Sequence, residues 1–305
     1  MAADIRLGVE VEFRTFYLQK QRPNFSFQFR ESKLFFDTFI SDHSSALMEF
    51  VLKEDGQSPH LDRGYFIWHG LPLNTRIKFG QIRIPFGFWD TYTIERSLTK
   101  NTLVGEDDQF PQFKLRKLDI GVEVQSSFKS IYADVAVLNG NTIDNIQDDN
   151  NNKDVVARLG IAGNFYSFNL NTYFGTTQRL QDGVNMDVSG TRHVTSVGGD
   201  FVVNQGNLTV SGEVVTTDYT SVRSLGGYFQ FNYDLLDLFY GLRFVGKFEY
   251  WDPNNARDKD EVFQSVIGFK QSIRRGMTLQ IEYKYHTRQA ALHHNGVLME
   301  LELEL

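Results

Sequence analysis

Apolar and polar residues alternate with a period of two along nearly the whole chain. Ile5, Leu7, Val9, Val11 and Phe13 alternate with Arg6, Gly8, Glu10, Glu12 and Arg14. Leu118, Ile120, Val122 and Val124 alternate with Asp119, Gly121, Glu123 and Gln125. Met277, Leu279, Ile281, Tyr283 and Tyr285 alternate with Thr278, Gln280, Glu282, Lys284 and His286. A helix, with its period of 3.6, cannot sort these sets onto two faces, whereas a strand does so at every step. No amphipathic helical pattern longer than two turns stands out. Marking each alternating segment predicts sixteen strands, over 4–18, 25–40, 46–54, 62–70, 74–85, 117–128, 130–138, 154–163, 165–175, 191–204, 207–218, 224–234, 239–251, 261–273, 276–288 and 296–305. Each strand with its connection then takes about 19 residues, enough for the roughly 9–11 that a tilted membrane strand needs.

The connections alternate in length. Those near 70–74, 127–129, 163–164, 204–207 and 274–276 are short; those at 53–60, 139–153, 176–190, 252–260 and 287–295 are longer and polar. If the first hairpin points outward, every long connection falls on one side. Outer-membrane barrels have short periplasmic turns and longer outer loops, and a soluble sandwich has no reason to keep this parity. The pattern predicts an all-β fold, a transmembrane antiparallel up-and-down β-barrel of about sixteen strands forming one domain over 1–305.

One connection breaks the scale. From 86 to 116 no clean alternation survives, and by the parity above this is the third outer loop. A long structureless segment inside a compact fold is usually functional. The expectation is that it folds into the lumen and narrows it.

Composition sharpens this reading. The chain carries 27 Phe and 13 Tyr against 6 Pro, a bias that favours pleated strands. Its mean hydropathy of −0.34 looks soluble, but barrel strands average a lipid-facing and a lumen-facing row. Lys+Arg 31 against Asp+Glu 38 gives a net charge of −7, the wrong sign for nucleic acid as main partner. With no cysteine there is no disulfide, thiolate metal site or covalent c-type haem attachment by this chain. Met1-Ala2-Ala3 runs straight into a patterned segment without a signal-like stretch, so the expected form is a mature outer-membrane protein.

If the apolar rows face lipid, the other parity lines the lumen with mixed charge. Arg6, Arg14, Arg30, Arg76, Lys78, Arg243, Lys247, Lys284 and Arg288 share it with Glu10, Glu12, Asp119, Glu123, Asp134, Glu213, Glu249, Glu282, Glu300, Glu302 and Glu304. A dry core could not hold such a set, whereas a water-filled channel can. Charged side chains at a narrowing set ion selectivity. The candidate constriction set is Arg76 and Lys78 on the strand read as leading into the long loop, with Glu95, Arg96, Lys100, Glu106, Asp107, Asp108, Lys114, Arg116 and Lys117 on or beside the loop. Seven bases against four acids predict a weak anion preference there.

The segment 61–87 reads LDRGYFIWHGLPLNTRIKFGQIRIPFG. Its aromatic strand, short turn and basic strand closing in Gly80-Gln81, three residues, then Pro85-Phe86-Gly87, resembles the phosphate-selective porin O/P family. The resemblance implies a sixteen-stranded outer-membrane channel, usually a homotrimer, whose third loop enters the pore. Phosphate selectivity is not carried over, because the lumen set is balanced and no dense arginine ladder is present. The family is also similar to the barrel part of fused cytochrome–porin proteins.

Other motifs fall away. Asp148, Asn150 and Asn152 mimic the start of a calcium loop, but Lys153 and Leu159 stand where it needs Gly and Glu. His293-His294 lacks further ligands, and Gly198-Gly199 and Gly226-Gly227 are single pairs within strands. His286 has no catalytic partner motif. No metal, cofactor or enzymatic reaction is expected. The expected function is passive diffusion of small hydrophilic solutes or ions through the barrel, in contact with outer-membrane lipid. The alternative is a structural sheath holding a periplasmic or cytochrome electron-transfer partner across the membrane.

Overall fold

The computed structural model describes residues 4–18, 25–53, 60–87, 118–140, 152–177, 192–219, 222–235, 241–252, 255–256, 261–274, 277–288 and 294–304. The alternating segments form sixteen strands: β1 Asp4–Leu18, β2 Phe25–Ser41, β3 Ser44–Lys53, β4 His60–Leu71, β5 Thr75–Arg83, β6 Leu118–Phe128, β7 Ile131–Leu138, β8 Asp154–Ala162, β9 Tyr166–Thr177, β10 Arg192–Gln205, β11 Leu208–Tyr219, β12 Val222–Asp234, β13 Leu242–Asp252, β14 Val262–Arg274, β15 Met277–Arg288 and β16 His294–Glu304. Each pairs antiparallel with its sequence neighbours, and β1 closes the ring against β16. Closure removes the open edges that a flat sheet of this length would expose.

The two rows of each strand separate as the alternation requires. Val122 and Val124 of β6 lie on the outer surface, while Asp119, Glu123 and Gln125 are buried inside. On β8, Val155, Leu159 and Ile161 face out and Arg158 is buried. Large apolar side chains on the outer surface include Leu170 at 68% exposure, whereas Glu123 and Asn171 inside are at 0%. This is the reverse of a water-soluble domain and fits an outer face solvated by hydrocarbon.

Large aromatic rings cover small positions on the sheet. Phe35 lies over Gly8, Phe201 over Gly212 and Phe231 over Gly246, each in space that a Cβ on the glycine would need. Such cross-strand pairing fixes register without widening the wall. A bulge in β2 leaves Arg30 without a register partner on β1, between Phe29 and Glu31; its side chain lies outside the described ones.

The connection parity holds with two exceptions. One end of the barrel carries 42–43, 72–74, 129–130, 163–165, 206–207 and 275–276; the other carries 84–117, 139–153, 178–191 and 253–261. We call these the short-turn end and the long-connection end. The exceptions are 235–241, seven residues at the short-turn end, and 220–221, two residues at the long-connection end. The expectation that every long connection shares one side is corrected to that extent.

Candidate functional site

The described interior has three parts: an apolar clamp toward the long-connection end, a charged and amide-lined wall, and a basic recess at the short-turn end. The clamp begins in the Gly-Gln-x-x-x-Pro-Phe-Gly segment. Gly80 pairs with Tyr65 at φ +128, and a Cβ there would collide with the Gly64 carbonyl oxygen, so β4 and β5 approach closely only because Gly80 has no side chain. On β4, a bulge leaves Asp62 unpaired opposite β3. Gln81 donates its side-chain amide to Leu61 O at 3.0 Å and Asp62 O at 2.9 Å, satisfying carbonyls at that bulge.

The chain then leaves the wall. Phe86 N donates to Ile84 O at 2.8 Å, a γ-turn centred on Pro85. Ile84, Pro85, Phe86 and Gly87 are all buried. The Phe86 ring comes within 3.4 Å of the place a Cβ on Gly198 of β10 would occupy. Gly87, at φ +72, sits so close to the Glu213 carboxylate of β11 that any Cβ would overlap it. Residues 84–87 therefore cross from β5 to the inner faces of β10 and β11. Ile82, Ile84 and Phe86 join one apolar cluster with Ala136, Leu138, Val156, Val194, Val215, Trp251 and Val262.

Those interior apolar residues stand on the parity read as a polar lumen row. The signal was adjacent apolar pairs, Val155-Val156 and Val214-Val215, of which one member must face inward. The remainder of the loop, with Glu95, Arg96, Lys100, Glu106, Asp107, Asp108, Lys114, Arg116 and Lys117, lies outside the described residues.

Arg76 and Lys78 stand on the strand that runs into the loop, toward its far end. Arg76 stands next to the 72–74 turn, seven residues before Arg83, and so about 23 Å of strand away from the long-connection end. That exceeds a Debye length of about 8–10 Å at ordinary salt, so these two bases stand apart from the point where the loop leaves the wall. The base at the loop end of β5 is Arg83, close enough to the Asp62 carboxylate to interact electrostatically. Sequence reasoning passed over it because it falls on the apolar parity of the strand.

The charged wall is paired within itself. Lys78 Nζ lies 3.0 Å from Glu123 Oε2, and Glu123 also accepts from Gln125. Lys247 pairs with Glu249 at 2.7 Å and Lys284 with Glu282 at 3.2 Å. Arg63 donates Nε to Glu49 Oε1 at 3.2 Å, and Arg243 pairs with Asp234 at 2.5 Å. Pairing of this kind lets charge persist in a confined interior.

A further cluster was missed. Asp200 accepts from Asn169 Nδ2 at 2.6 Å and Asn171 Nδ2 at 2.8 Å, and Arg158 stands 3.7 Å from it. Asn169 also accepts from Tyr132, whose ring lies beneath the Arg158 guanidinium. Arg158 and Asp200 occupy the polar parity of DVVARLGIA and RHVTSVGGDFVVNQ, so alternation alone could have found them. Of the remaining lumen set, Asp119 and Asp134 are buried inside as expected. The backbones of Glu10, Glu12 and Arg14 pair with Glu304, Glu302 and Glu300, but these side chains and that of Arg288 lie outside the described ones.

No family model matches the chain, and no curated protein does. Solved structures share its fold over their whole length. OmpF of Salmonella typhi, in complex with daunomycin, superposes with a TM-score of 0.74 at 10% identity, covering 99% of this chain and 97% of that one. OmpT of Vibrio cholerae, an outer membrane protein in its trimer form, gives 0.70 at 9% identity and covers 100% of both chains. The outer membrane channel DcaP of Acinetobacter baumannii gives 0.68 at 13% identity, covering 99% and 97%. At these identities the likeness is one of fold: an outer-membrane porin-type β-barrel.

Proposed function

We propose that this chain is a channel of the bacterial outer membrane, through which small hydrophilic solutes and ions diffuse passively. The observation that carries the reading is the inverted burial of a closed barrel, with charged and amide side chains inside and aliphatic and aromatic ones outside. A hydrated interior replaces part of a solute's water shell with fixed dipoles and charges, and no covalent chemistry is needed. The likeness to the outer membrane channel DcaP supports the same reading. By analogy with barrels of this class, the short-turn end faces the periplasm.

Selection of solutes falls to the loop 86–116. Its root is held in the lumen by Phe86 and Gly87, which supports narrowing by the residues that follow. Without Arg76 and Lys78 the loop region holds five bases, Arg96, Lys100, Lys114, Arg116 and Lys117, against Glu95, Glu106, Asp107 and Asp108. An excess of one gives a weak anion preference and no tight phosphate site. The Gly80-Gln81 and Pro85-Phe86-Gly87 motif supports kinship with the O/P porins. The trimer form of OmpT supports assembly as a homotrimer. No specific observation favours the cytochrome sheath.

Single-channel recording in a planar bilayer tests the reading. Stepwise conductance in KCl is expected, with a reversal potential in a KCl gradient slightly on the chloride side. Loss of that bias in Arg96→Ala/Lys100→Ala, with Arg76→Ala/Lys78→Ala having a separate effect, places the filter on the loop. Refolded barrel that never conducts would refute the channel.

A further inference from the structure

A recess of about 570 Å³ opens at the short-turn end between the 72–74 turn, the 129–130 turn and the end of β8. That volume suits a small organic ligand, for which pockets run from roughly 300 to 1,000 Å³. Four cationic side chains line it, Arg76, Lys78, Lys129 and Arg158, with Asp134 as the carboxylate of the lining. Two of the cations are matched by acids behind the wall, Lys78 by Glu123 at 3.0 Å and Arg158 by Asp200 at 3.7 Å. Arg76 donates Nε to the neutral Gln125, and Lys129 lies over the Phe128 ring. Arg76 is thus the cation of the lining whose bonded partner is neutral.

The lining also offers hydroxyls and amides, held in place before any ligand arrives, beside His69 and the apolar Ile131 and Ala162. Ser127 Oγ accepts from Asn74 Nδ2 at 2.8 Å, and Thr75 bonds Ser126 at 2.6 Å. Serine hydroxyls both donate and accept, which suits the hydroxyls of a polyol. A guanidinium whose Nε is already fixed presents its remaining N–H groups to a planar carboxylate. A dianion such as phosphate would exceed the local charge and meet Asp134.

We propose that this recess is a binding subsite for small hydroxylated monocarboxylates at the short-turn mouth, separate from the narrowing by loop 86–116. The proposal deepens the channel reading and rests on it. It assigns to Arg76 a task at the exit of the pore.

D-gluconate is the probe. Isothermal titration of millimolar gluconate into the barrel refolded in detergent micelles reads binding without requiring conduction. Saturable binding is expected, weaker by at least about tenfold in Arg76→Ala, the scale of a charge-assisted hydrogen-bonded contact. Ser127→Ala is expected to weaken it severalfold, whereas Arg243→Ala, a short-turn arginine outside the recess, leaves it unchanged. Glucose and inorganic phosphate are the comparison ligands. The proposal is overturned by no saturable gluconate binding to the wild type, by equal binding of glucose or phosphate, or by an unchanged affinity in Arg76→Ala. If Arg76→Ala does not refold, Arg76→Gln takes its place with the same criterion. Conductance in KCl is recorded in parallel: its absence refutes the channel, while conductance without gluconate binding refutes the subsite alone.

Discussion

Gln81 donates its side-chain amide to the main-chain oxygen of Asp62 at 2.9 Å. The bond ties the strand that feeds the long loop to a bulge in the neighbouring strand, and a second bond to Leu61 O repeats the tie. A side chain one residue before Ile82, the first of the apolar cluster, thus sets where the clamp starts. In Gln81→Leu both carbonyls lose their partner. The expected loss of stability is about 1–3 kcal/mol, read by urea unfolding of the barrel in lipid vesicles. An unchanged midpoint would mean that the bulge is satisfied by other means.

Phe86 fixes the root of the loop by packing against β10 within the interior apolar cluster. Phe86→Ala removes a buried ring and is expected to destabilise the barrel by about 3–5 kcal/mol. With its anchor gone the loop root is less confined, so single-channel conductance should rise and become noisier. A variant with wild-type conductance and noise would show that the cluster does not govern the lumen.

Gly87 combines a left-handed backbone with direct apposition to Glu213. Gly87→Val meets both obstacles and should lower the yield of refolded barrel on a gel-shift assay. Adding Glu213→Gly removes the steric part and should recover some of that yield. Failure of the double variant to improve on the single one would locate the problem in the backbone.

Glu123 compensates Lys78 inside the wall. Glu123→Gln keeps the shape and frees the ammonium charge to act on passing ions. The reversal potential in a KCl gradient should shift toward chloride, and the shift should shrink as salt is raised. The accompanying cost in stability is expected to be about 1–3 kcal/mol. A shift toward potassium would contradict this arrangement of charge.

The outer apolar rows need a non-aqueous solvent. Circular dichroism should show β-structure with negligible helix, and the chain should be monodisperse only with detergent or lipid present. Detergent-corrected mass is expected to equal three chains. A monodisperse protein in plain buffer would refute the membrane barrel, and a mass of one chain would refute the trimer alone.

The alternation by itself determined the strands, their antiparallel order and which row meets lipid, because a pleated strand turns every second side chain to the same face and hydrocarbon accepts only apolar ones. Bounds read from sequence fall within a few residues of the strands formed; 4–18 coincides with β1. The long connection 86–116 was legible too, as the place where alternation stops. What pattern could not give was depth across the barrel. Gly87 and Glu213 stand on strands or segments 126 positions apart and meet because the chain turns at Pro85 into the lumen. Arg76 and Lys78 looked adjacent to the loop in sequence, yet the rise of an extended strand carries them to its far end. The recess they line exists because two short turns and the end of β8 converge there, and that convergence is a property of the curved wall of neighbouring strands. Local pattern fixes direction toward or away from lipid at each residue. Only closure decides which inward-facing residues share the same space.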